Sequence, residues 1–446
     1  MKQLLLALSL LAAPWVHAQQ EATARPDTVA AQPEKVNQFS IDADFFTRGE
    51  VRKGGLPATD NGESDSEAKA VFIMARTRLG VRYQRPHIEA RINAQHNGVW
   101  GQAGKGSFNL NEAWVKLTAR VGLFAQVGRQ VLSYDDERII GSDDWAMASM
   151  AHDMLRLGYE GHNHKVHAML AYNQNSDATK GNSYYVNGAQ PYKTMQNLWY
   201  HYDFARVPLG VSALFMNIGM QGGDSEANAF TSYQQMLGAY VKFAPAKWTA
   251  EAAYYHQMGR NENKTPIDAW MMSLKASFSP VTMFTVSTGY DHMSGDSRFA
   301  VPPPGGIGLT QHKTIRGFST VYGSHHQFYG AMDFFYVRTY VGGFTPGLQN
   351  FFVSGKVTPV SGLTLNAAYH LYATATRHDD WSKVLGHELS LQAGYKPLKW
   401  INISAGFSYM KGTRTMELLK RSSDSRNLLW GWLTLRVNPI IFTTKW

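Results

Sequence analysis

Residues 71–83, VFIMARTRLGVRY, read with a period of two as one long strand with two different faces. Successive side chains of a β-strand point to opposite faces, so Val71, Ile73, Ala75, Thr77, Leu79, Val81 and Tyr83 share one face. Phe72, Met74, Arg76, Arg78, Gly80 and Arg82 share the other, which sets three guanidiniums opposite an apolar band. A strand of a soluble protein usually runs about five or six residues. This one reads for thirteen, and a tilted bilayer crossing takes roughly 9–11. One face toward lipid and one toward water account for both the length and the arginines.

The pattern recurs along the chain. Phe39, Ile41, Ala43 and Phe45 alternate with Ser40, Asp42, Asp44 and Phe46. Ile88, Ala90, Ile92 and Ala94 alternate with Glu89, Arg91, Asn93 and Gln95, and Ala113, Val115 and Leu117 with Glu112, Trp114 and Lys116. Val166, Ala168, Leu170 and Tyr172 hold one face, and 233–243, 248–258, 284–293, 363–373, 389–395 and 401–409 keep the same period. A last run sets Leu429, Leu433, Leu435 and Val437 on one side, before a short tail to Trp446.

The connections alternate in length. Short ones fall at 84–86, 120–122, 161–164, 205–210, 244–247, 279–281, 358–362 and 396–399, several with the Pro or Gly that tight turns need. Long polar ones fall at 49–69, 97–108, 130–151, 174–196, 219–231, 258–267, 294–347, 374–386 and 411–427. Short periplasmic turns alternating with long extracellular loops mark an up-and-down barrel. Eight turns and nine loops predict an all-β, transmembrane antiparallel β-barrel of 18 strands with both ends periplasmic. His326–Val337 also reads as a strand, but it would make the count odd, so it is assigned to the 294–347 loop. A β-propeller or solenoid would repeat a blade motif at a fixed period, and none is seen.

The first eighteen residues read as a secretory signal: Lys2, an apolar Leu4–Ala13, and Val16-His17-Ala18 as the cleavage site. Residues 19–37 read as a flexible periplasmic lead-in and 38–446 as a single barrel in the cell outer membrane. No later segment approaches 18 consecutive apolar residues, so no transmembrane helix is expected. The mean hydropathy resembles that of a soluble protein because alternating faces average out. With no cysteine, disulfides and thiolate metal sites are excluded. Aromatic residues at 13% suit girdles at two membrane interfaces. A net charge of +9 suits anionic partners, and export disfavours nucleic acid among them.

A barrel of this size encloses an aqueous lumen rather than a packed core. Its inward faces carry Arg48, Arg76, Arg78, Arg82, Arg91, Lys116, Arg156, Lys242 and Lys356, with Arg129 close to a strand end. They also carry Asp42, Asp44, Glu89, Glu112, Asp203, Glu251, Asp291 and Glu388. The cations are densest in the first third, where they can attract an anionic solute into a narrow conduit. The plainer reading is that these charges keep the lumen wet and pair across strands. Ser324-His325-His326 lacks the spacing of a nucleophilic site, and His325-His326 lacks further metal ligands. Asp135-Asp136-Glu137 and Asp143-Asp144 read as solvated acidic turns ahead of calcium sites. No catalytic constellation, metal or cofactor is expected.

Two stretches go further than barrel grammar. One is Gly128-Arg129-Gln130, continuing VLSYDDERIIGSDDW to Trp145. The other begins Ser294-Gly295-Asp296 and resumes at YGSHHQFYGAMD, Tyr322–Asp333, with Gly330 and Asp333 near its end. Together they resemble the alginate-export family of Gram-negative outer-membrane barrels. The resemblance implies an 18-strand barrel with an electropositive conduit for anionic polysaccharide, and a conduit role for Arg129 and Arg138. It also makes the 294–347 loop a candidate plug or gate. The function expected is passive passage of an anionic solute, of saccharide type, through an Arg-lined lumen. A weakly selective general or uptake porin is the alternative, ahead of a barrel hydrolase or a surface-binding protein. The partners expected are outer-membrane lipid, the anionic solute, and periplasmic export or uptake proteins.

Overall fold

The computed structural model describes residues 37–54, 69–102, 105–174, 185, 191–296, 314–337, 345–377, 381–420 and 427–446. The expected signal and all but the last residue of the lead-in lie outside them, as do 297–313 and 338–344 of the long loop.

The alternating runs become strands that pair in chain order. They begin with β1 (Gln38–Lys53), β2 (Lys69–Arg85), β3 (Ile88–Val99), β4 (Ser107–Thr118), β5 (Leu123–Gln130) and β6 (His152–Gly161). Next come β7 (His164–Tyr172), β8 (Thr194–Asp203), β9 (Leu209–Gly222), β10 (Phe230–Phe243), β11 (Trp248–Arg260), β12 (Pro266–Val281) and β13 (Phe284–Met293). The last are β14 (Leu348–Val360), β15 (Leu363–Ala373), β16 (Val384–Leu398), β17 (Ile401–Gly412), β18 (Asn427–Val437) and β19 (Ile440–Lys445). Neighbours in this order from β1 to β18 pair antiparallel. β1 also pairs with β18 and β19, which closes the barrel and leaves no free edge among the described strands.

β18 and β19 are two halves of one crossing, broken at Asn438-Pro439. Proline has no N–H to give the ladder, and the carbonyl of Pro439 instead accepts from Ala43 N at 3.1 Å. The expected 18 crossings are therefore present, but the tail after Val437 is itself a strand. The expected turns and loops fall within a few residues of their places. The His326–Val337 stretch is no strand; it holds a 3-10 turn at His325–Gln327 and a short helix at Phe334–Val337. A further helix, Arg414–Lys420, opens the last long loop.

The two faces sort as the period requires. On β2, Val71 is 77% exposed and Leu79 54%, whereas Arg76 is 1% exposed. Exposed Phe204, Trp248, Trp400 and Trp446 stand beside the short turns or the chain end, where a periplasmic aromatic girdle belongs.

The lumen departs from expectation. An 18-crossing wall encloses more space than its own side chains fill. Loop 131–151 and segment 314–337 fold into that space. Leu132, Tyr134, Ile139 and Ile140 of the first, and Phe318 and Tyr322 of the second, join one buried cluster with wall residues. The wall's contribution includes Met154, Met169, Met195, Met216, Met236, Met271 and Met293, from β6 to β10, β12 and β13. Unbranched methionine adapts to irregular surfaces, so the seat fits loops that are not part of the ladder. At this height the inner face lines protein rather than water.

Candidate functional site

Antiparallel register brings the arginines together. Asp44 of β1 lies across from Arg78 of β2, and Phe46 lies between Arg76 on one side and Arg436 of β18 on the other. Three guanidiniums thus converge at one height of the inner wall. Asp44 accepts Nη2 of Arg76 at 3.1 Å, and Nε and Nη2 of Arg436 at 2.7 and 2.9 Å. A second carboxylate comes from loop 131–151. Asp144 accepts Nη1 of Arg78 at 2.7 Å and Nη1 of Arg436 at 2.6 Å, with Nη2 of Arg76 at 3.1 Å.

The same side chains grip the loop's backbone. Arg76 Nη1 donates to the carbonyls of Asp144 (3.0 Å) and Ala146 (2.9 Å), and Arg78 Nη2 donates to Ser149 Oγ (2.7 Å). Arg48 donates to the carbonyl of Trp145 at 2.9 Å and lies 4.1 Å over its ring. Burial alone would raise the Asp144 carboxyl; the guanidiniums, Arg76 foremost, override it and hold the group below the usual carboxylate range. Asp143 has only the charge of Arg48 in its favour, the weakest of the influences on its carboxyl. Burial, then the charges of Asp333, Asp144 and Glu137, push it up to about 6.

Above and below this cluster the column continues. Arg52 donates to Glu50 at 2.8 Å. Toward the periplasmic turns Arg82 pairs with Glu89, and Arg91 pairs with Asp42 and lies 3.6 Å from Glu112. The arginines of this arc outnumber the carboxylates that the wall itself supplies.

Segment 314–337 is held by another arc and in another way. Glu388 of β16 accepts the backbone N–H groups of Ala331 (2.7 Å) and Met332 (3.1 Å) and the hydroxyl of Tyr372 (2.9 Å). Gly330 has φ 91°, and a Cβ there would sit 1.8 Å from the Tyr372 hydroxyl, so the approach needs glycine. Gln257 of β11 exchanges two hydrogen bonds with the backbone of Ser319, at 2.8 and 3.0 Å.

The two inward segments also bind each other. Ile140 and Tyr322 form a parallel bridge, and Ser324 Oγ donates to Glu137 at 2.5 Å while accepting Asp143 N–H at 2.8 Å. The Trp145 and His326 rings stack 4.0 Å apart, and His326 pairs with Asp333 at 2.6 Å. Arg138 spans from loop 131–151 to Tyr329 (2.8 Å) and to Asp291 of β13 (3.0 Å).

The expected site residues divide accordingly. Arg48, Arg76, Arg78, Arg82 and Arg91 share one arc. Lys116 lies 4.2 Å over the Phe124 ring, and Arg156 donates to Gln126 and Tyr134 at 2.6 and 3.3 Å, on the neighbouring inner wall. Arg138 is buried between the two segments. Arg129 is elsewhere: it shares the outward face of β5 with exposed Leu123 and Val127, and pairs with Asp153 at 2.8 Å. The strand alternation that buries Gln126 and Gln130 therefore takes Arg129 out of the lumen.

The motif residues act as fastenings. Gly128 packs its Cα close against the carbonyl of Ala113, and Gln130 donates to the carbonyl of Met154 at 3.2 Å. Ser294 Oγ accepts Trp270 N–H and donates to Arg316 O, and Asp296 accepts Arg316 N–H. Gly295 lies against Pro346, where the two ends of the long loop cross.

The acidic turns are not solvated ones: Glu137 is buried, Asp136 pairs with Arg138, and Asp144 sits on the arginines. Sequence reasoning also passed over Arg436 and the methionine seat. Both stand on the inward parity of their strands, and for Arg436 that parity was readable from Leu429, Leu433, Leu435 and Val437.

Comparison with known proteins agrees with this architecture. The chain resembles three Pseudomonas aeruginosa structures. OccK11 (OpdR) is 12% identical with a TM-score of 0.58, covering 91% of this chain and 96% of that one. OccK2 (OpdF) in complex with glucuronate is 13% identical with a TM-score of 0.57, over 91% and 98%. OpdK with vanillate is 12% identical with a TM-score of 0.56, over 91% and 99%. None of the curated protein sequences matches. The family model described as alginate export matches residues 89–401. With that match over most of its length and a closed barrel of 18 crossings, the chain belongs to the alginate export family and is an outer-membrane channel.

Proposed function

We propose that this channel passes carboxylate-bearing solutes, of the acidic-saccharide class, by passive diffusion along the arginine column. The observation that carries the reading is the arc of β1, β2, β3 and β18, where Arg52, Arg48, the level pair Arg76 and Arg436, then Arg78, then the cross-strand pair Arg82 and Arg91 descend the inner wall. With loop 131–151 moved aside, anions would meet several weak cationic positions in succession, which is what conduction through a selective pore requires. Membership of the alginate export family supports a uronate-type solute. A second reading, uptake of small carboxylates, draws support from the similar barrels solved with glucuronate and with vanillate. It is also favoured by the two inward segments, which pack against the inner wall and take up part of the lumen. The test is reversal potential in planar bilayers under a salt gradient, combined with permeation of glucuronate, alginate oligomers and glucose. Anion preference with passage of acidic sugars ahead of glucose is expected. Cation preference would overturn the proposal, and passage of the monomer without the oligomers would select the second reading.

A further inference from the structure

We infer that Arg76, Arg78 and Arg436 form a carboxylate-binding site whose resident ligand is the loop's own Asp144, and that a uronate carboxylate entering the channel takes its place. The inference rests on the anionic-solute reading and names the position where the solute is held. Four observations lead to it. The wall supplies three guanidiniums at one height but only Asp44 among them, so the cluster is incomplete until a second carboxylate arrives. That carboxylate comes from a loop outside the strand ladder rather than from a neighbouring strand.

Asp144 is also the most exposed member of the cluster. Its side chain is 32% exposed, against 21% for Arg436, 10% for Asp44, 8% for Arg78 and 0% for Arg76. Moreover, Arg76 Nε is buried with no acceptor, so the donors of the cluster exceed what Asp44 and Asp144 accept.

The chemistry of the resident ligand indicates the class of the incoming one. The loop presents one carboxylate flanked by the neutral carbonyl oxygens of Asp144, Trp145 and Ala146, each accepting from an arginine. A uronate likewise presents one carboxylate flanked by neutral ring and hydroxyl oxygens. Simple departure of Asp144 would leave buried guanidiniums short of counter-charge, which is costly. Exchange of one carboxylate for another avoids that cost, so opening of the loop is coupled to arrival of the solute. A ligand can shift such an equilibrium only through preference for one state, and here the preference is for the state with Asp144 away.

The chain contains no cysteine, so Ala146→Cys gives a single thiol beside Asp144. The full-length barrel is labelled in detergent or liposomes with a neutral maleimide, in sodium glucuronate or in glucose with sodium chloride at equal ionic strength. Glucuronate is expected to raise the labelling rate roughly tenfold, the scale of one lost charge-assisted contact. Adding Asp144→Asn should make labelling fast in both solutions, and Asp144→Glu should restore the dependence on glucuronate. Should the Asn variant fail to assemble, the Glu variant carries the test alone. Equal rates in glucuronate and glucose, in a channel that still prefers anions, would overturn the exchange and leave the anionic-solute reading standing. Loss of anion preference in the parent barrel would instead remove that reading.

Discussion

The two segments inside this barrel are fastened with opposite charges. Loop 131–151 brings a carboxylate, Asp144, to guanidiniums of the wall. Segment 314–337 brings backbone donors, Ala331 and Met332, to a carboxylate of the wall, Glu388. An anion in the lumen can compete for the first fastening, because it offers what Asp144 offers. It has no such opening at the second, because there the wall already supplies the carboxyl acceptor and the segment supplies the donors. The same solute therefore acts on one segment and leaves the other in place. Arg138 is the point where the two arrangements meet, since it leaves loop 131–151 to reach Asp291 on the wall and Tyr329 on the other segment.

Charge reversal on the two arcs should give the largest contrast. Arg76→Glu with Arg78→Glu sets four carboxylates together where two were paired, releases loop 131–151, and removes cations from the column. Planar-bilayer recordings should show higher conductance and a reversal potential moved toward cations. Glu388→Gln, by contrast, keeps an oxygen that still accepts from the backbone. It should lower the unfolding free energy by about 1–3 kcal/mol, the size of a weakened buried charged hydrogen-bond set, with an unchanged reversal potential. If the Glu388 variant shifted selectivity as far as the arginine pair, the two arcs would not differ in kind.

That contrast was only half legible in the sequence. Strand number, order and face followed from local rules: alternation fixed the lipid side of Val71–Tyr83, and loop lengths fixed the count. The arginine row was visible because Arg76, Arg78 and Arg82 sit on one strand. Its partners were not, because Asp144 and Arg436 are separated from Arg76 by 68 and 360 positions and meet it only through barrel closure and loop folding. Asp143-Asp144 looks like any exposed acidic turn until the loop is placed indoors. The 294–347 segment stood out by length, yet the strand-like alternation of His326–Val337 does not state which wall receives residues 314–337. Gly330 carried a hint, since a glycine among bulky residues often marks a close backbone approach, here to Glu388 and Tyr372.

A smaller effect separates the segments by pH. Asp143 faces Asp333 across the junction, Asp144 and Glu137 on its own loop, and Arg48 of the wall. Its carboxyl is pushed up to about 6 when the loop is docked. A docked pKa above the free value means that the docked state holds the proton more tightly. Docking therefore strengthens as pH falls from about 6 toward the free carboxylate range near ~4, and weakens as pH rises through 6. Asp144, held low by the arginines, supports docking throughout that window and fails only below the ordinary carboxylate range. His326 acts against the trend, because burial keeps it neutral despite Asp333 and charging it is unfavourable. Conductance should fall between pH about 7 and about 5 in the parent, and Asp143→Asn should remove that part of the change. An Asp143→Asn barrel with the full parental pH response would place the titration elsewhere, with the His326–Asp333 pair on the other segment as the next group to replace.

The smallest effect belongs to a third kind of fastening, outside the wall. Arg129 donates to the carbonyl of Leu110 at 2.7 Å and to Asp153 at 2.8 Å, and both partners lie on the outward face. The pair is solvent- or headgroup-accessible, where an ion pair contributes about 0–1 kcal/mol. No lumen charge changes when it is removed. Arg129→Gln should therefore shift the unfolding midpoint slightly and leave the reversal potential and glucuronate permeation at parental values. A selectivity change in this variant comparable with that of the Arg76/Arg78 pair would reverse the facing of β5. It would also return Arg129 to the conduit, because strand alternation allows only those two orientations.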